Sequence, residues 1–351
     1  MTISSPFLAE VMISFLIKTY NEEKHIAACI ESVIIAASNL PNPYEIIVAD
    51  SVSADRTVQI AASYPVKIVQ FKNPAERGCG AGVQLGYQHA RGNLVFLLDG
   101  DMTLQPEFLP VALRALRDDK KLAGVAGLMK EVAIRNTFDE MRVISGAAST
   151  VGDEPWLNGG GLYRREAIDS AGGYAANRNL MGWEEAELGM RLRSAGWQLR
   201  RVAVVAVHHD GHVTDTQQLL MKHWKSRRLM SNGILLKSAL TKPWIFKVLI
   251  LLAHPLAVVI SWLVMLFLLA VPGGGQKSEQ VFAVGLLWGL LLVLLSLKKK
   301  SVWRALRSVA IWHFHAAALL YGLFLPTIQP TVPIASTEVS DLPPLLDAPG
   351  T

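Results

Sequence analysis

Two aspartates close the stretch LVFLLDGDMTL, residues 94–104: Asp99 and Asp101, one residue apart. The apolar run before them reads as a strand buried on both faces. Ending such a strand on two like charges is costly unless a cation balances them or the turn is simply solvated. Carboxylates at i and i+2 on a turn present oxygens to one hard divalent ion. Mg²⁺ and Mn²⁺ favour such ligands and complete their shell with substrate phosphates. Two further stretches carry titratable groups. VHHDGH (207–212) holds three histidines and an aspartate, and GWEEAEL (182–188) holds Glu184, Glu185 and Glu187 at the start of a helical pattern. Acidic residues there also suit a helix N-terminus without any chemistry.

The elements that position the aspartates follow from periodicity. MISFLIKT, YEIIVAD, VKIVQF and NLVFLLDGD read as four strands. NEEKHIAACIESVIIAA, RTVQIAASY and GVQLGYQHA, lying between them, read as helices. Strands alternating with helices of this length imply crossover units, a parallel sheet and an α/β fold. In such sheets ligands bind at the carboxyl ends of strands, where Asn21, Asp50 and Asp99 all fall.

The rest of the chain has another character. Of the 351 residues 51% are hydrophobic and 18% charged, too apolar for an ordinary soluble enzyme. Residues 1–221 carry 21 Lys and Arg against 25 Asp and Glu, whereas 222–247 carry seven basic residues and no acidic one. Basic charge concentrated beside apolar segments points to a membrane surface rather than nucleic acid. Segment 248–271 has 24 residues without Asp, Glu, Lys or Arg, and 281–297 and 308–326 extend the pattern over 17 and 19. Runs of this length suit bilayer spans. Lys298, Lys299, Lys300, Arg304 and Arg307 separate the second run from the third, and Lys277 alone lies between the first and second. With three spans, the positive-inside rule places the N-terminal domain in the cytoplasm and the tail outside. Residues 216–247 mix apolar and basic types at near-helical spacing, as an interfacial helix does. The tail, 327–351, is rich in Pro, Ser and Thr and is expected to be disordered. Cys29 and Cys79 lack CxxC spacing, which excludes a thiolate zinc site or a disulfide framework and fits a reducing compartment. The N-terminus lacks the layout of a signal peptide.

Five stretches in order, ISFLIKTYNEE, EIIVADSVSADRT, ERGCGAGVQLGYQHARGNLVFLLDGD, NGGGLYRREAI and GWEEAELGMRLRSAGW, resemble a family 2 glycosyltransferase with the GT-A nucleotide-sugar fold. The resemblance covers about residues 1–215 and implies a catalytic domain there. It implies that Thr19, Asn21 and Glu22 end the first strand at the nucleoside, and that Asp50 accepts from the base. Ser53, Asp55 and Thr57 match the polar turn that follows; capping of the next helix is the other reading of these three. Arg77 and Gly78 match a pair beside the diphosphate. Asp99 and Asp101 match the metal motif, Asp101 as the direct ligand of Mg²⁺ or Mn²⁺ and Asp99 also at the ribose or sugar. Gly160 lies in the turn that lets backbone approach donor and acceptor. Glu185 falls at the position of the base in an inverting transfer, with Glu184 beside it as the other candidate. His209 or His212 matches a further metal ligand. The chain departs from the family in Gln84, where Asn is frequent, and in ADS, where DDG is frequent. QQLLMKHWKSR lacks Q-x-x-R-W spacing, which argues against a processive polymerase.

The implied protein is an inverting glycosyltransferase anchored in the inner cell membrane by several passes, with a cytoplasmic catalytic domain. Its partners would be a nucleoside-diphosphate sugar, membrane lipids and a lipid-linked or glycan acceptor, with no nucleic acid. A polyprenyl-phosphate sugar synthase, whose acceptor is a phosphate, is the nearest alternative. A sugar-nucleotide-binding scaffold without catalysis is the alternative from another class.

Overall fold

The computed structural model describes residues 11–134, 149–211, 216–270 and 277–339. The chain forms two units, Met1–His223 together with Ile328–Thr351, and Trp224–Thr327.

In the first unit β1 (Ile13–Thr19) sits between β2 (Tyr44–Asp50) and β4 (Leu94–Asp99), and β3 (Lys67–Phe71) extends the same parallel sheet. Residues of β1 alternate between two cores. Ile13, Phe15 and Ile17 meet α1 (Ile26–Ser38) on one face. Leu16 meets α3 (Cys79–His89) on the other, and the short α2 (Thr57–Ala61) follows β2. Each fully buried Ile or Phe contributes about 1.5–3 kcal/mol, which makes the strand register costly to shift. Register decides the site: Thr19 pairs with Asp50 and Lys18 pairs with Asp99.

Beyond β4 the sheet turns mixed. β5 (Met102–Leu104), β6 (Leu122–Glu131), β7 (Gly152–Asp153), β8 (Gly161–Arg164) and β9 (Gln198–His209) complete it with antiparallel and parallel pairs. Helices α4 (Phe108–Asp118), α5 (Arg165–Ser170) and α6 (Glu184–Ser194) connect them. The resulting α/β sheet has ten strands, against the four read from periodicity. The last, β10 (Ser336–Glu338), pairs antiparallel with β3 at the edge. The disordered tail expected from composition is therefore corrected over residues 328–339. Ile334 is 2% exposed in the core, and its backbone exchanges bonds of 2.7 and 3.0 Å with the Gln88 amide. Residues 340–351 lie outside the described residues.

The second unit is helical. The single interfacial helix expected over 216–247 is three: α7 (Thr216–Lys225), α8 (Ser231–Ala239) and α9 (Ile245–Leu251). α8 is buried on nearly all sides and packs through Gly233 onto Gly322, where an added Cβ would lie 2.1 Å from the Leu319 carbonyl oxygen. α10 (Ala253–Ala270) leaves α9 at an 82° bend. α11 (Lys277–Lys299) and α12 (Val302–Phe324) follow. Among the described residues α11 alone is long and apolar enough to cross a membrane, over Ser278–Lys299, and the bent α9–α10 pair passes only if counted as one span. The three apolar segments read from the sequence fall mainly in α10, α11 and α12. The third segment lies in α12, which opens with Arg304 and Arg307 and carries His313 and His315. Both histidines are held by helical neighbours: His313 Nδ1 accepts from Trp262 Nε1 at 3.1 Å, and His315 lies 3.3 Å from the Asn232 amide.

Candidate active site

Parallel pairing brings the ends of β1, β2 and β4 together, and α6 closes the opening above them. Lys18 Nζ lies 3.2 Å from Asp99 Oδ1 and 3.3 Å from Glu184 Oε1. Burial alone would lower the lysine pKa, but Asp99 and Glu184 hold it well above its ordinary value, so Lys18 is a cation. For Asp99 burial acts first, with Asp101 and Glu184 adding to it and Lys18 opposing, and the carboxyl sits above the usual range. Glu184 is nearly buried beneath α6, its side chain 8% exposed. Glu184 and Glu185, one residue on, both line a small cleft together with Lys18, Asp99, Gly159 and Leu188. The Glu185 Oε1 is 3.8 Å from the place a Cβ on Gly159 would take.

The glycine turn opposite follows from backbone geometry. Gly160 has φ +83°, its N–H donates to the Leu97 carbonyl at 2.8 Å, and a Cβ there would lie 2.8 Å from Val207. Arg201, 1% exposed, supports the turn by donating to Gly127 O at 2.8 Å and Asn158 Oδ1 at 3.2 Å.

At the other end of the opening, loops after β1 and β2 are zipped together. Asp50 is fully buried and accepts from Ser53 N–H at 2.9 Å, from the Ser53 hydroxyl, and from Gln70 Nε2 at 2.8 Å. A carboxylate offers about four lone-pair sites, so roughly one remains for a ligand. Asn21, at φ 56°, donates its N–H to Ser53 Oγ and accepts from Ala54 N–H, each at 2.8 Å. Glu22 N–H donates to Thr57 Oγ1 at 2.7 Å and Glu23 N–H to Asp55 at 3.1 Å, so the polar turn braces the β1 end rather than only capping α2. Val52 takes φ 60°, a strained conformation for a β-branched residue. Among the described residues the buried Thr19 hydroxyl has no hydrogen-bond partner. Arg77 lies with its guanidinium 4.8 Å over the Tyr20 ring at the rim, with Gly78 next to it at the start of α3.

Asp101 heads an acidic cluster with Glu22 and Asp99. Burial first, then the charge of Asp101, pushes Glu22 up to about 7, against the pull of His25. Such crowding suits a divalent cation, and the donors Asp99 and Asp101 are hard oxygens on one turn. They fit an ion that keeps waters and substrate oxygens in its shell. No closed cage of three or more acidic, histidine or cysteine ligands occurs among the described residues. His209 sits between two carboxylates. Its Nε2 lies 3.4 Å from Asp101 and its Nδ1 2.7 Å from Glu131. Burial works against its proton, but the two carboxylates overcome it and push the imidazole up to about 10. His212 lies outside the described residues.

Of the residues expected from sequence, Asp99, Glu184 and Glu185 line the cleft, with Gly159 beside Gly160. Sequence reasoning missed Lys18, Gln70 and Glu131. Lys18 carried the same signal as Asp99, a charge at the end of a buried apolar strand. Gln70 and Glu131 gave no local signal, because their role depends on sheet pairing.

With this geometry in hand, similarity to known proteins can be added. The family model described as "Glycosyl transferase family 2" matches residues 14–147. The dolichol-phosphate mannosyltransferase of Pyrococcus furiosus is 28% identical over 144 residues, 40% of each chain. The undecaprenyl-phosphate 4-deoxy-4-formamido-L-arabinose transferase of Pectobacterium carotovorum is 34% identical over 102 residues, 28% of this chain and 31% of that one. The matched stretch therefore spans less than half the length of these relatives. The solved mannosyltransferase PcManGT from Pyrobaculum calidifontis, in complex with GDP-Man and Mn²⁺, superposes with a TM-score of 0.56 at 18% identity. That superposition covers 89% of this chain and 87% of the other, and it shows a shared fold.

Proposed function

Residues 14–147 belong to the family 2 glycosyltransferases, and from that premise we propose that the chain is a membrane-anchored inverting glycosyltransferase. It moves a sugar from a nucleoside diphosphate to a lipid-linked acceptor hydroxyl. The observation that carries this reading is the cleft itself, where Asp99 of the donor motif and Glu185 of α6 line one opening.

The nucleoside is held at the β1 and β2 ends by Thr19 and Asp50, with Asn21 and Glu22 fixing the loop that carries them. Arg77, moving off Tyr20, meets the diphosphate. Asp101 and Asp99 would hold a divalent ion, which would supply positive charge to the departing diphosphate. Glu185 accepts the acceptor hydroxyl proton as that oxygen bonds the anomeric carbon from the face opposite the nucleotide. The bond from carbon to phosphate oxygen breaks, its electrons leave with the nucleoside diphosphate, and the configuration inverts. Lys18 holds Glu184 in an ion pair at 3.3 Å, which leaves Glu185 as the proposed base. The exposed apolar surface of α11 holds the protein at the inner membrane, and the basic run 222–247 sets the catalytic unit on the cytoplasmic side.

A second reading takes a polyprenyl phosphate as acceptor, and the two relatives, a dolichol-phosphate and an undecaprenyl-phosphate transferase, favour it. A phosphate is already ionised near neutrality and needs no base. Purified full-length protein with Mn²⁺ and a panel of nucleotide sugars, offered polyprenyl phosphate or a polyprenyl-linked sugar, separates the two. Transfer to the linked sugar supports the hydroxyl reading, and transfer to the bare phosphate alone replaces it. No transfer to either, with donor binding intact, would leave the scaffold alternative.

A further inference from the structure

We infer that residues 224–327 enter and leave the bilayer on one side, so that the chain crosses it an even number of times and the tail lies with the catalytic unit. The inference rests on the proposed membrane anchoring and deepens it. Two separate parts of the chain build the first unit, one ending at His223 and the other starting at Ile328. The second part is held from its first residue. Ile328 N–H donates to Asn179 Oδ1 at 2.8 Å, and its carbonyl accepts from the Asn179 amide at 2.7 Å. Arg178 donates to the Val332 carbonyl at 2.8 Å. Lys72 N–H donates to Ala335 O at 2.9 Å, Val339 N–H to Ile68 O at 3.0 Å, and β10 completes the sheet between them.

A strand cannot hydrogen-bond to a sheet on the far side of a hydrocarbon core about 30 Å thick. Three crossings would put residues 328–339 there. One of the three apolar segments in the sequence therefore does not cross. The 82° bend between α9 and α10 and the charged start of α12 are the two places where the helical path departs from a straight span. α11 presents Phe282, Leu287 and Leu297 outward, at 66, 67 and 70% exposure, a surface that fits lipid chains rather than water.

The test is side-specific labelling in sealed membrane vesicles of known orientation. The background carries Cys79→Ala, leaving only the buried Cys29. One variant adds Gln329→Cys in the exposed tail, and another adds Arg114→Cys on the exposed face of α4. A membrane-impermeant maleimide is expected to label both from the same side. Labelling of the two positions from opposite sides would overturn the inference. Alkaline carbonate extraction, run first, tests the anchoring itself. Release of the protein would overturn the anchoring, whereas retention with opposite-side labelling would overturn only the even count.

Discussion

Lys18 and Glu184 lie 166 residues apart in sequence and 3.3 Å apart in space, one at the end of β1 and the other on the first turn of α6. The same ammonium reaches Asp99 at 3.2 Å, so a single cation joins the metal-motif turn to the helix carrying the proposed base. Breaking a buried pair by removing one partner costs about 3–5 kcal/mol, because the remaining charge stays desolvated. Lys18→Met is expected to lower thermal stability markedly. Adding Glu184→Gln to it should restore part of the loss, since the orphaned carboxylate is then neutral. Thermal unfolding of the two single variants and the double variant reads this coupling. Strictly additive losses would mean that the contact carries no energy.

His209 makes part of the stability depend on pH. Its folded pKa, about 10, is above the ordinary 6.5. A group raised on folding contributes fully below its unfolded pKa, and the contribution disappears as pH rises through the folded one. His209→Gln should therefore be less stable than the parent near pH 6.5, with the gap closing towards pH 10. Urea unfolding of both proteins across that window measures it. A gap that stays constant would show that His209 is not the charged partner of Asp101 and Glu131.

The parallel half of the fold was legible because each of its strands is a continuous apolar run ended by a polar turn. β4 was expected within NLVFLLDGD and spans Leu94–Asp99, and β2 was expected and found at Tyr44–Asp50. The mixed half was not. β5 and β7 are three and two residues long, too short for a period, and long-range pairs define them. β10 was hidden because Pro, Ser and Thr suggest disorder, while its order comes from Gln88, Asn179 and Arg178 far away in sequence. At the site, motif order located Glu184 and Glu185 together but could not assign their roles. The proposed assignment of Glu185 as base rests on the ion pair that Lys18 makes with Glu184. Apolar length alone does not register the 82° bend between α9 and α10, which has no signature in composition.

The central claim is that Glu185 takes the acceptor proton in a cleft shared with Asp99. The most direct measurement is the turnover of Glu185→Gln with saturating nucleotide sugar and acceptor, alongside donor binding by calorimetry. A general base contributes about 10²–10⁴-fold to rate. Turnover is expected to fall by at least about 10²-fold while donor affinity stays within a few-fold of the parent. Near-parental turnover of Glu185→Gln would contradict the claim and favour an acceptor that arrives already ionised.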